Sequence, residues 1–248
     1  PSVGTVHDFS QLHVPQKYDA ARMFYIMRVL PRMMRRLTRV ISVSQSTRRD
    51  LVEHAGIRPE RIRVAYNGAD LSAFTATSGD SARETITCEL GIDGPFILYT
   101  ARLEHPGKNH VRLLQALALL KQRGALSHKL VLAGSRWNGA EVVDATIRRL
   151  GLQDDVIMTG YIDDHLLPQL YSAADLFVFP SLFEGFGIPL LEAMAAGVRV
   201  VAGDTKVVPR NSGGGLYLVT TGIGRRSEKL DLAMDRIQPG DQVLVSGS

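Results

Sequence analysis

Cysteine is almost absent from the sequence, and long apolar runs are missing altogether. The single cysteine, Cys88, excludes an internal disulfide framework and a thiolate metal cluster. No run of about 18 or more apolar residues occurs, so no membrane-spanning helix is expected. The chain begins at Pro1 and shows no signal-peptide pattern, and we therefore expect a fragment of a protein from the reducing cytoplasm.

Several motifs that define common cofactor and metal sites are also missing. There is no P-loop, no GxGxxG turn, no HExxH pair of zinc ligands and no GxSxG nucleophile elbow. The seven histidines are scattered along the chain, and aromatic residues make up only 6% of it. We therefore expect no metal, no bound cofactor and no nucleic-acid partner.

What the sequence does contain is typical of a globular α/β protein. Its 248 residues are 45% hydrophobic and 22% charged, which allows one large domain or two modest ones. The strands predicted from residue 95 onward cover 96–99, 129–133, 156–159, 176–179 and 198–202, and the helices between them cover 109–123, 140–150 and 164–173. This alternation predicts a parallel sheet covered on both faces, with ligands beyond the carboxyl ends of the strands.

The first part of the chain predicts a smaller set of strands and helices. Strands are expected over 40–44 and 61–65, with a helix over 45–55 between them that Ser44 caps. Before them, a Val/Thr segment ends in His7-Asp8. This pair suits a ligand contact at the carboxyl end of a strand, or a loop pair with a capping role. Residues 75–85 are rich in Thr, Ser, Gly and Asp and predict a linker, so we expect a domain boundary within 70–90.

Positive charge is concentrated near the start of the chain. Residues 1–65 hold 12 Lys or Arg against 5 Asp or Glu, whereas the remainder holds 17 against 20. Most of the excess lies in the basic segment 22–49. Apolar residues over 18–38 have helical spacing and alternate with arginines, and Pro31 predicts a bend. The pattern fits a core-packed helix with a solvated basic face; contact with an anionic membrane or a lipid-linked phosphate acceptor is the alternative.

The stretch from Phe183 to Glu192 is the most informative part of the sequence. It follows the apolar run 176–180 and opens a helix that Gly197 is expected to end. A glycine-rich turn between a strand and a helix directs backbone amides and the positive end of the helix dipole toward a bound anion. Glu184 on the loop and Glu192 in the helix can accept hydrogen bonds from hydroxyl groups. An anion site flanked by such carboxylates indicates a sugar nucleotide.

Two cations follow the strand predicted over 96–99. Arg102 and Lys108 belong to one strand-to-helix loop, at the sheet edge where the stretch around Glu184 is also expected. Together they can neutralise a diphosphate, and arginine can do so bidentately. Such a pair is common on protein surfaces, but its combination with the Glu184 stretch favours a diphosphate site.

Residues 1 to about 202 resemble the GT-B glycosyltransferases of the large retaining family 4, also called glycosyl transferases group 1. The resemblance is carried by Thr5-Val6-His7-Asp8, residues 43–47, residues 66–70, the Arg102–Lys108 loop, Gly160-Tyr161 and, above all, Glu184 and Glu192 with seven residues between them. It implies a C-terminal nucleotide-sugar-binding domain over 90–202, with a GT-B-type, Rossmann-like parallel sheet, and a remnant of the N-terminal acceptor-side domain over 1–75. The implied reaction is metal-independent, retaining transfer from a nucleoside-diphosphate sugar to a glycan or a lipid-linked acceptor.

The resemblance also assigns roles to the motif residues. Arg102 and Lys108 would bind the donor diphosphate and stabilise the leaving nucleoside diphosphate. Glu184 would contact the transferred sugar, Glu192 would hold the ribose hydroxyls, and His7 would face the sugar across the cleft. Further donor contacts would come from Gly185, Phe186, Gly187, Ile188 and Tyr161.

The tail of the chain resembles a different family. Residues 203–248 predict a β-rich segment, and 198–210, 220–224 and 237–247 resemble the hydrogenase maturation factor HypE, of the AIR-synthase-like ATP-binding family. Such a combination implies a chimeric chain. Three hypotheses stay open: a cytoplasmic glycosyltransferase, working also at the inner face of the membrane; a nucleotide-sugar-binding fragment without activity; and an ATP-dependent hydrogenase maturation protein.

Overall fold

Two parallel sheets contain the strands of the described part of the chain. The computed structural model describes residues 1–14, 17–68, 70, 72–74 and 79–202, and the β-rich, HypE-like tail predicted over 203–248 lies outside them. All pairings between neighbouring strands of the two sheets are parallel. The predicted α/β class with parallel sheets is therefore confirmed.

The first sheet has three strands, arranged in the order in which they occur in the chain. Its strands are β1 (Val3–Val6), β2 (Arg39–Ser42) and β3 (Ile62–Val64), and its helices are α1 (Ser10–His13), α2 (Ala20–Phe24), α3 (Leu30–Met34) and α4 (Gln45–Glu53). Helix α4 begins as predicted, because Ser44 Oγ accepts a hydrogen bond from the Thr47 N–H at 3.1 Å. Val40 of β2 and Leu51 of α4 are fully buried in the core of this sheet.

The helical segment between β1 and β2 changes its pitch just before Pro31. A π-helical turn, Tyr25–Val29, separates α2 from α3, and the Leu30 N–H donates to the Tyr25 carbonyl five residues earlier. Proline has no N–H to donate, and its ring crowds the preceding turn, which favours a wider turn at this place. Pro31 itself is buried at the start of α3. Neither this segment nor any other described helix has the length and apolarity needed to span a bilayer.

The second sheet shows the strand and helix alternation that the sequence predicts. Its helices are α5 (Gly79–Leu90), α6 (His110–Gln122), α7 (Ala140–Leu150), α8 (Leu167–Ala173) and α9 (Ile188–Ala195), and its strands are β4 (Phe96–Thr100), β5 (Lys129–Ala133), β6 (Val156–Gly160), β7 (Leu176–Phe179) and β8 (Val200–Ala202). The strand order is β6-β5-β4-β7-β8. The order along the chain therefore reverses between β4 and β7, which is where open α/β sheets bind ligands.

Among the predicted boundaries that differ from the structure, two have a clear physical reason. The linker expected over 75–85 is wrong from residue 79 onward, because α5 begins at Gly79. Its buried residues Ala82 and Ile86, four positions apart, form the face that packs against α8. Helix α8 begins three residues later than expected, since Pro168 can be placed only in a first turn.

Candidate active site

Two loops meet at the carboxyl ends of the neighbouring strands β4 and β7. The loop after β4 carries Lys108 and the loop after β7 carries Glu184, and Lys108 Nζ lies 2.7 Å from Glu184 Oε1. The two side chains are 20% and 23% exposed, so this ion pair borders solvent. An anionic ligand that reaches the pair can therefore compete with Glu184 for the ammonium group of Lys108.

Buried hydrogen bonds hold these two loops together. The Tyr99 hydroxyl donates to the Lys108 carbonyl at 2.9 Å and lies 2.9 Å from Ser181 Oγ. Asn109 Nδ2 donates to the Pro180 carbonyl at 3.0 Å, from a left-handed backbone with a φ of 59°. Because Tyr99 is fully buried, the pKa of its phenol is raised, and the hydroxyl remains a neutral donor. The position of Lys108 is thus fixed from both loops.

Gly185 brings the second sheet into contact with the end of β1. A Cβ atom at this position would lie 1.9 Å from the His7 carbonyl oxygen, so only glycine permits the approach. The same carbonyl accepts a hydrogen bond from Thr47 Oγ1 at 3.3 Å. His7 follows directly after β1 and its side chain is exposed. The backbone of His7 therefore lies beside that of the residue that follows Glu184.

Helix α9 begins three residues beyond this contact. Gly187 has a left-handed backbone with a φ of 89°, and Ile188 is the first residue of the helix. Pro189 occupies the first turn, where its missing N–H breaks no intrahelical hydrogen bond. The rings of Phe186 and Tyr66 lie 6.0 Å apart, which adds a second contact with the first part of the chain. The amides and dipole of the first turn provide partial positive charge at this edge of the sheet.

Glu192 is half-buried and lies about one turn into α9. The Tyr171 hydroxyl donates to Glu192 Oε2 at 2.8 Å, and Thr100 Oγ1 lies 2.6 Å from the same hydroxyl. Burial raises the pKa of Glu192, and the hydrogen bond from Tyr171 offsets part of this effect. A carboxylate has about four acceptor positions, so Glu192 can still accept hydrogen bonds from a ligand. The sequence alone does not reveal Tyr171, because it has the spacing of an apolar core residue of α8.

Arg102 is exposed and stacks on a tryptophan from the neighbouring loop. Its guanidinium carbon lies 4.8 Å from the centre of the Trp137 ring, and Trp137, in the loop from β5 to α7, is 49% exposed. A cation over an indole ring is stabilised by the quadrupole of the ring. The sequence patterns did not assign Trp137 to the site. The signal that could have found it is a lone tryptophan placed just after a buried strand.

A chain of polar groups joins the end of β1 to the loop that carries Arg102 and Lys108. Asp8 Oδ1 accepts hydrogen bonds from the Ser10 N–H at 2.9 Å and from Ser10 Oγ at 2.7 Å. Lys17 Nζ donates to Ser10 Oγ at 2.8 Å and lies 3.2 Å from Glu104 Oε1. Glu104 is only 4% exposed. Asp8 therefore orders the turn before α1, whose N-cap residue is Phe9.

Tyr161 lies farther along the same sheet edge than the other predicted site residues. It follows β6, the edge strand, which β5 separates from β4. Its side chain is 68% exposed, and its hydroxyl donates to Asp164 Oδ1 at 3.4 Å. The negative charge of Asp164 raises the pKa of the Tyr161 phenol. The structure therefore brings Lys108 and Glu184 into contact and leaves Tyr161 on an outer strand.

Comparison with known proteins points to one family along most of the chain. The sequence model described as "Glycosyl transferases group 1" matches residues 83–246, and the one described as "Glycosyltransferase Family 4" matches residues 1–73. The first match includes residues 203–246, the part of the chain in which the sequence motifs predicted a resemblance to HypE. The comparisons give no support to the HypE resemblance or to a chimeric chain.

Curated relatives of the chain are glycosyltransferases of greater length. It is 29% identical to O-antigen chain mannosyltransferase B of Escherichia coli over 84% of this chain and 54% of that protein. It is 33% identical to an N-acetylgalactosaminyltransferase of Campylobacter jejuni, whose name specifies a diphospho-undecaprenol acceptor, over 67% of this chain and 41% of that protein. The chain thus spans about half the length of the curated relatives that it matches, or less.

Solved structures agree with the predicted fold. The structure of Anabaena Alr3699/HepE in complex with UDP and glucose matches with a TM-score of 0.65 and 28% identity, over 81% of this chain and 52% of that one. WaaG, a glycosyltransferase involved in lipopolysaccharide biosynthesis, matches with a TM-score of 0.64 and 22% identity, over 81% of this chain and 56% of that one. These neighbours are GT-B glycosyltransferases, and the expected GT-B-type α/β architecture is confirmed.

Proposed function

This chain belongs to the glycosyl transferases group 1 family, and from this membership we propose that it supplies the donor site of a retaining glycosyltransferase. In the whole protein, a sugar passes from a nucleoside-diphosphate sugar to a glycan or a lipid-linked acceptor. The observation that carries the proposal is the convergence of Lys108, Glu184 and the start of α9 at one sheet edge, against the end of β1.

In this proposal the donor diphosphate binds between Lys108, Arg102 and the first turn of α9. Glu184 neutralises Lys108 at 2.7 Å, and a diphosphate offers the ammonium group more negative charge than that single carboxylate. Arg102 is exposed and can add two parallel hydrogen bonds to phosphate oxygens. When the bond between the sugar and the phosphate breaks, negative charge develops on the diphosphate. Cations and amides that are already in place stabilise this charge without reorganising.

The two glutamates divide the hydroxyl groups of the donor between them. Glu192 accepts hydrogen bonds from the ribose hydroxyls, since Tyr171 holds one of its oxygens and orients the carboxylate. Glu184 accepts hydrogen bonds from the transferred sugar once its ion pair with Lys108 is shared with the diphosphate. The backbone of His7 contacts Gly185, and in this proposal its side chain faces the sugar from the side of the first sheet. The donor is thereby held at the phosphate, ribose and sugar ends.

The relatives support a nucleotide-sugar donor. The Anabaena protein, 28% identical in the matched part, has been crystallised with UDP and glucose and with UDP-glucose. Relatives from Escherichia coli carry the names of mannosyltransferases. UDP-glucose and GDP-mannose are therefore the first donors to examine. The Campylobacter relative, named for a diphospho-undecaprenol substrate, supports a lipid-linked acceptor.

We also propose that the segment from α2 to α3 contacts the cytoplasmic face of an anionic membrane. Four large apolar side chains of this segment are exposed to solvent, namely Phe24 (65%), Tyr25 (47%), Met27 (39%) and Met33 (52%). Arg28, Arg32 and Arg36 follow one another at intervals of four residues and are all exposed. Exposed apolar groups beside a row of arginines suit the interface of a membrane with acidic headgroups. A lipid-linked acceptor would be reached at that interface.

Donor binding is the direct test of the proposal. UDP, GDP, UDP-glucose and GDP-mannose are titrated calorimetrically into the purified chain and into Lys108→Ala. We expect at least one nucleoside diphosphate to bind, and the substitution to weaken it by about 10- to 100-fold, the range for loss of a hydrogen bond to a charged group. Turnover of a labelled donor then separates a transferase from a binding fragment.

Lys121→Ala is the matched control for this experiment. Lys121 Nζ pairs with Asp155 Oδ1 at 2.5 Å, with side-chain exposures of 21% and 29%, but in the last turn of α6, away from the site. Its loss should leave donor affinity unchanged. The proposal fails if no nucleoside diphosphate binds, or if the Lys108 and Lys121 variants weaken binding equally. Binding without turnover would reduce the chain to a nucleotide-sugar-binding module.

A further inference from the structure

An open cavity of about 550 Å³ lies between the start of α2 and the loop from β5 to α7. Its volume falls within the range of small-molecule sites, about 300–1,000 Å³. Tyr18, Asp19 and Arg22 line one wall, and Trp137 and Asn138 line the other. Apart from Arg22, which lies in the basic segment 22–49, the sequence motifs assign none of these residues to a function, although Trp137 also contacts Arg102 of the proposed diphosphate site. The cavity is therefore adjacent to the proposed donor site.

Two aromatic rings face this cavity, and an arginine orients each of them. The Arg22 guanidinium lies 4.4 Å from the centre of the Tyr18 ring, and the Arg102 guanidinium lies 4.8 Å from the centre of the Trp137 ring. Tyrosine and tryptophan offer rigid, partly apolar surfaces with few rotatable bonds. The apolar C–H face of a sugar ring packs on such surfaces, while its hydroxyl groups remain available at the edge of the ring.

The polar groups of the cavity suit a ligand that is uncharged and rich in hydroxyls. Asp19 and Glu141 provide carboxylates, Asn138 provides an amide, and the lining cations Arg22 and Arg136 balance the two acids. One further acid, Asp144, pairs with Arg136 and offsets its positive charge. A lining with equal numbers of acidic and basic groups gives a free phosphate little net attraction. Carboxylates and an amide are, in contrast, good partners for hydroxyl groups.

Backbone hydrogen bonds fix the cavity relative to the loop that carries Arg102 and Lys108. The Leu103 N–H donates to the Ser135 carbonyl at 2.9 Å, and the Trp137 N–H donates to the Leu103 carbonyl at 3.1 Å. The His105 N–H donates to the Asn138 carbonyl at 3.1 Å. The two loops therefore form one short sheet-like unit, and a ligand on Trp137 keeps a constant position relative to the diphosphate.

We propose that this cavity is the subsite that binds the saccharide of the acceptor. The proposal rests on the proposed function, because it assumes a donor beside Arg102. One sugar ring of the acceptor packs against Tyr18 and Trp137, and its hydroxyls bond to Asp19, Asn138 and Glu141. The acceptor specificity of the protein is then set partly by the loop from β5 to α7, although that loop belongs to the sheet that binds the donor.

The single tryptophan of the chain makes this proposal directly measurable, because all tryptophan fluorescence comes from Trp137. The probes are α-1,3-mannobiose, maltose, lactose and chitobiose, each titrated into the chain alone and in the presence of excess UDP or GDP. We expect at least one disaccharide to change the fluorescence saturably. Tyr18→Leu and Glu141→Gln, which both retain the reporter, should weaken that binding by about five- to tenfold, the value of a stacking contact or a hydrogen bond.

Matched substitutions outside the cavity give the control. Leu119→Ala and Glu89→Gln replace exposed residues of α6 and of α5, and should leave saccharide affinity unchanged. The affinity for UDP and GDP should stay within about twofold in all four variants, since none of these residues lies at the proposed diphosphate contacts.

The two proposals fail through different results. If the chain binds a nucleoside diphosphate but no disaccharide changes the fluorescence, the acceptor subsite is wrong. The same holds if the cavity and control variants behave alike, or if uridine or guanosine displaces the saccharide, which would assign the cavity to the nucleobase. If a disaccharide binds in the cavity but no nucleoside diphosphate binds to the chain, the donor site fails while the saccharide site stands.

Discussion

The side chain of Gly185 is a single hydrogen atom, and its small size allows the two sheets to approach closely. Gly185→Ala would place a Cβ atom 1.9 Å from the His7 carbonyl oxygen, so one of the two backbone segments has to move. We expect the free energy of unfolding to fall by about 1–3 kcal/mol, the usual cost of overpacking, and donor turnover to fall with it. Urea unfolding followed by circular dichroism measures the first effect, and a coupled assay of nucleoside diphosphate release measures the second.

Gly68→Ala provides the comparison for this substitution. Gly68 has no atom within 4 Å of an added Cβ, so alanine fits there without displacement. Its stability and turnover should match those of the unsubstituted chain. If Gly185→Ala behaves in the same way, the close contact between His7 and Gly185 does not exist in solution.

The contribution of Glu192 to the free energy of unfolding depends on pH, because burial raises its pKa. A carboxyl group with a raised pKa in the folded state favours folding in its protonated form. The group therefore lowers the free energy of unfolding as the pH rises from its ordinary pKa of 4.5 through its pKa in the folded chain. Glu192→Gln removes this effect and retains an oxygen that can accept the Tyr171 hydrogen bond. We expect the variant to be more stable than the unsubstituted chain at pH 7, with the difference vanishing near pH 4.

The same substitution should impair function. In the proposed site, Glu192 accepts hydrogen bonds from the ribose as an ionised group, and an amide accepts them more weakly. Affinity for the nucleoside diphosphate should fall by about tenfold, which calorimetry at pH 7 measures. A gain in stability together with a loss of affinity is the combination expected of a functional residue. A Glu192→Gln chain with unchanged affinity would remove Glu192 from the donor site.

Residue patterns predict the charged part of the site better than the aromatic part. Arg102, Lys108 and Glu184 fall in loops after predicted strands, and parallel strands bring such loops to one edge. Tyr171 and Trp137 have no comparable signal. An aromatic residue at an apolar position of a helix, or alone in a loop, has the same pattern whether or not it orients a charged group. Only the packing of neighbouring elements distinguishes the two cases.

At the scale of elements, the surface from α2 to α3 should bind acidic membranes. Replacing Arg28, Arg32 and Arg36 together by Gln removes three exposed cations and leaves the exposed Phe24 and Met33 in place. Each basic residue near an anionic surface contributes about 1 kcal/mol, so binding should weaken by about 100-fold or more. Sedimentation with phosphatidylglycerol vesicles, compared with phosphatidylcholine vesicles, measures this loss.

A second triple variant, at exposed arginines elsewhere in the chain, distinguishes binding by a local surface from attraction by net charge alone. Arg123, Arg148 and Arg149 lie at the ends of α6 and α7 and are all exposed. Changing these three to Gln alters the net charge by the same amount. If both triple variants lose vesicle binding equally, attraction depends on total charge, and the segment from α2 to α3 is not a dedicated contact surface.

The two misplaced boundaries show what composition alone cannot decide about an element. Residues 75–85 have the composition of a linker, yet Ala82 and Ile86 give α5 a small apolar face that α8 covers. A helix of this kind forms because a neighbouring element buries its narrow face, and the sequence of the segment itself contains little of that information. In contrast, β4, β5 and β7 are predicted well, since their near-continuous apolar runs follow from burial on both faces.

At the scale of the whole molecule, a few specific contacts hold the first sheet against the second. The His13 ring stacks on Phe183 with ring centres 4.2 Å apart and an angle of 6° between their planes. Gly185 touches the His7 backbone, and Lys17 reaches Glu104. Each of these contacts ends at a loop that also carries a proposed donor residue. The arrangement of the two sheets and the geometry of the site are therefore linked.

The ion pair between Lys17 and Glu104 should be the most sensitive of these contacts, because its side chains are only 11% and 6% exposed. Lys17→Met leaves Glu104 buried without its cation, and the free energy of unfolding should fall by about 3–5 kcal/mol. Glu104→Gln should be costly for the converse reason. In the double variant neither charge remains uncompensated, so its cost should be at least about 1 kcal/mol smaller than the sum of the single costs.

The double-mutant cycle is measured by urea unfolding, and Arg58→Met serves as its control. Arg58 pairs with Glu60 at 3.5 Å, but these side chains are 72% and 65% exposed, so the loss of that pair should have little effect. A buried pair that couples the two sheets should also make them unfold in one transition, which the Lys17→Met variant would split into two. If the single costs simply add and the transition stays single, the contacts at Gly185 and Phe183 hold the sheets together without Lys17.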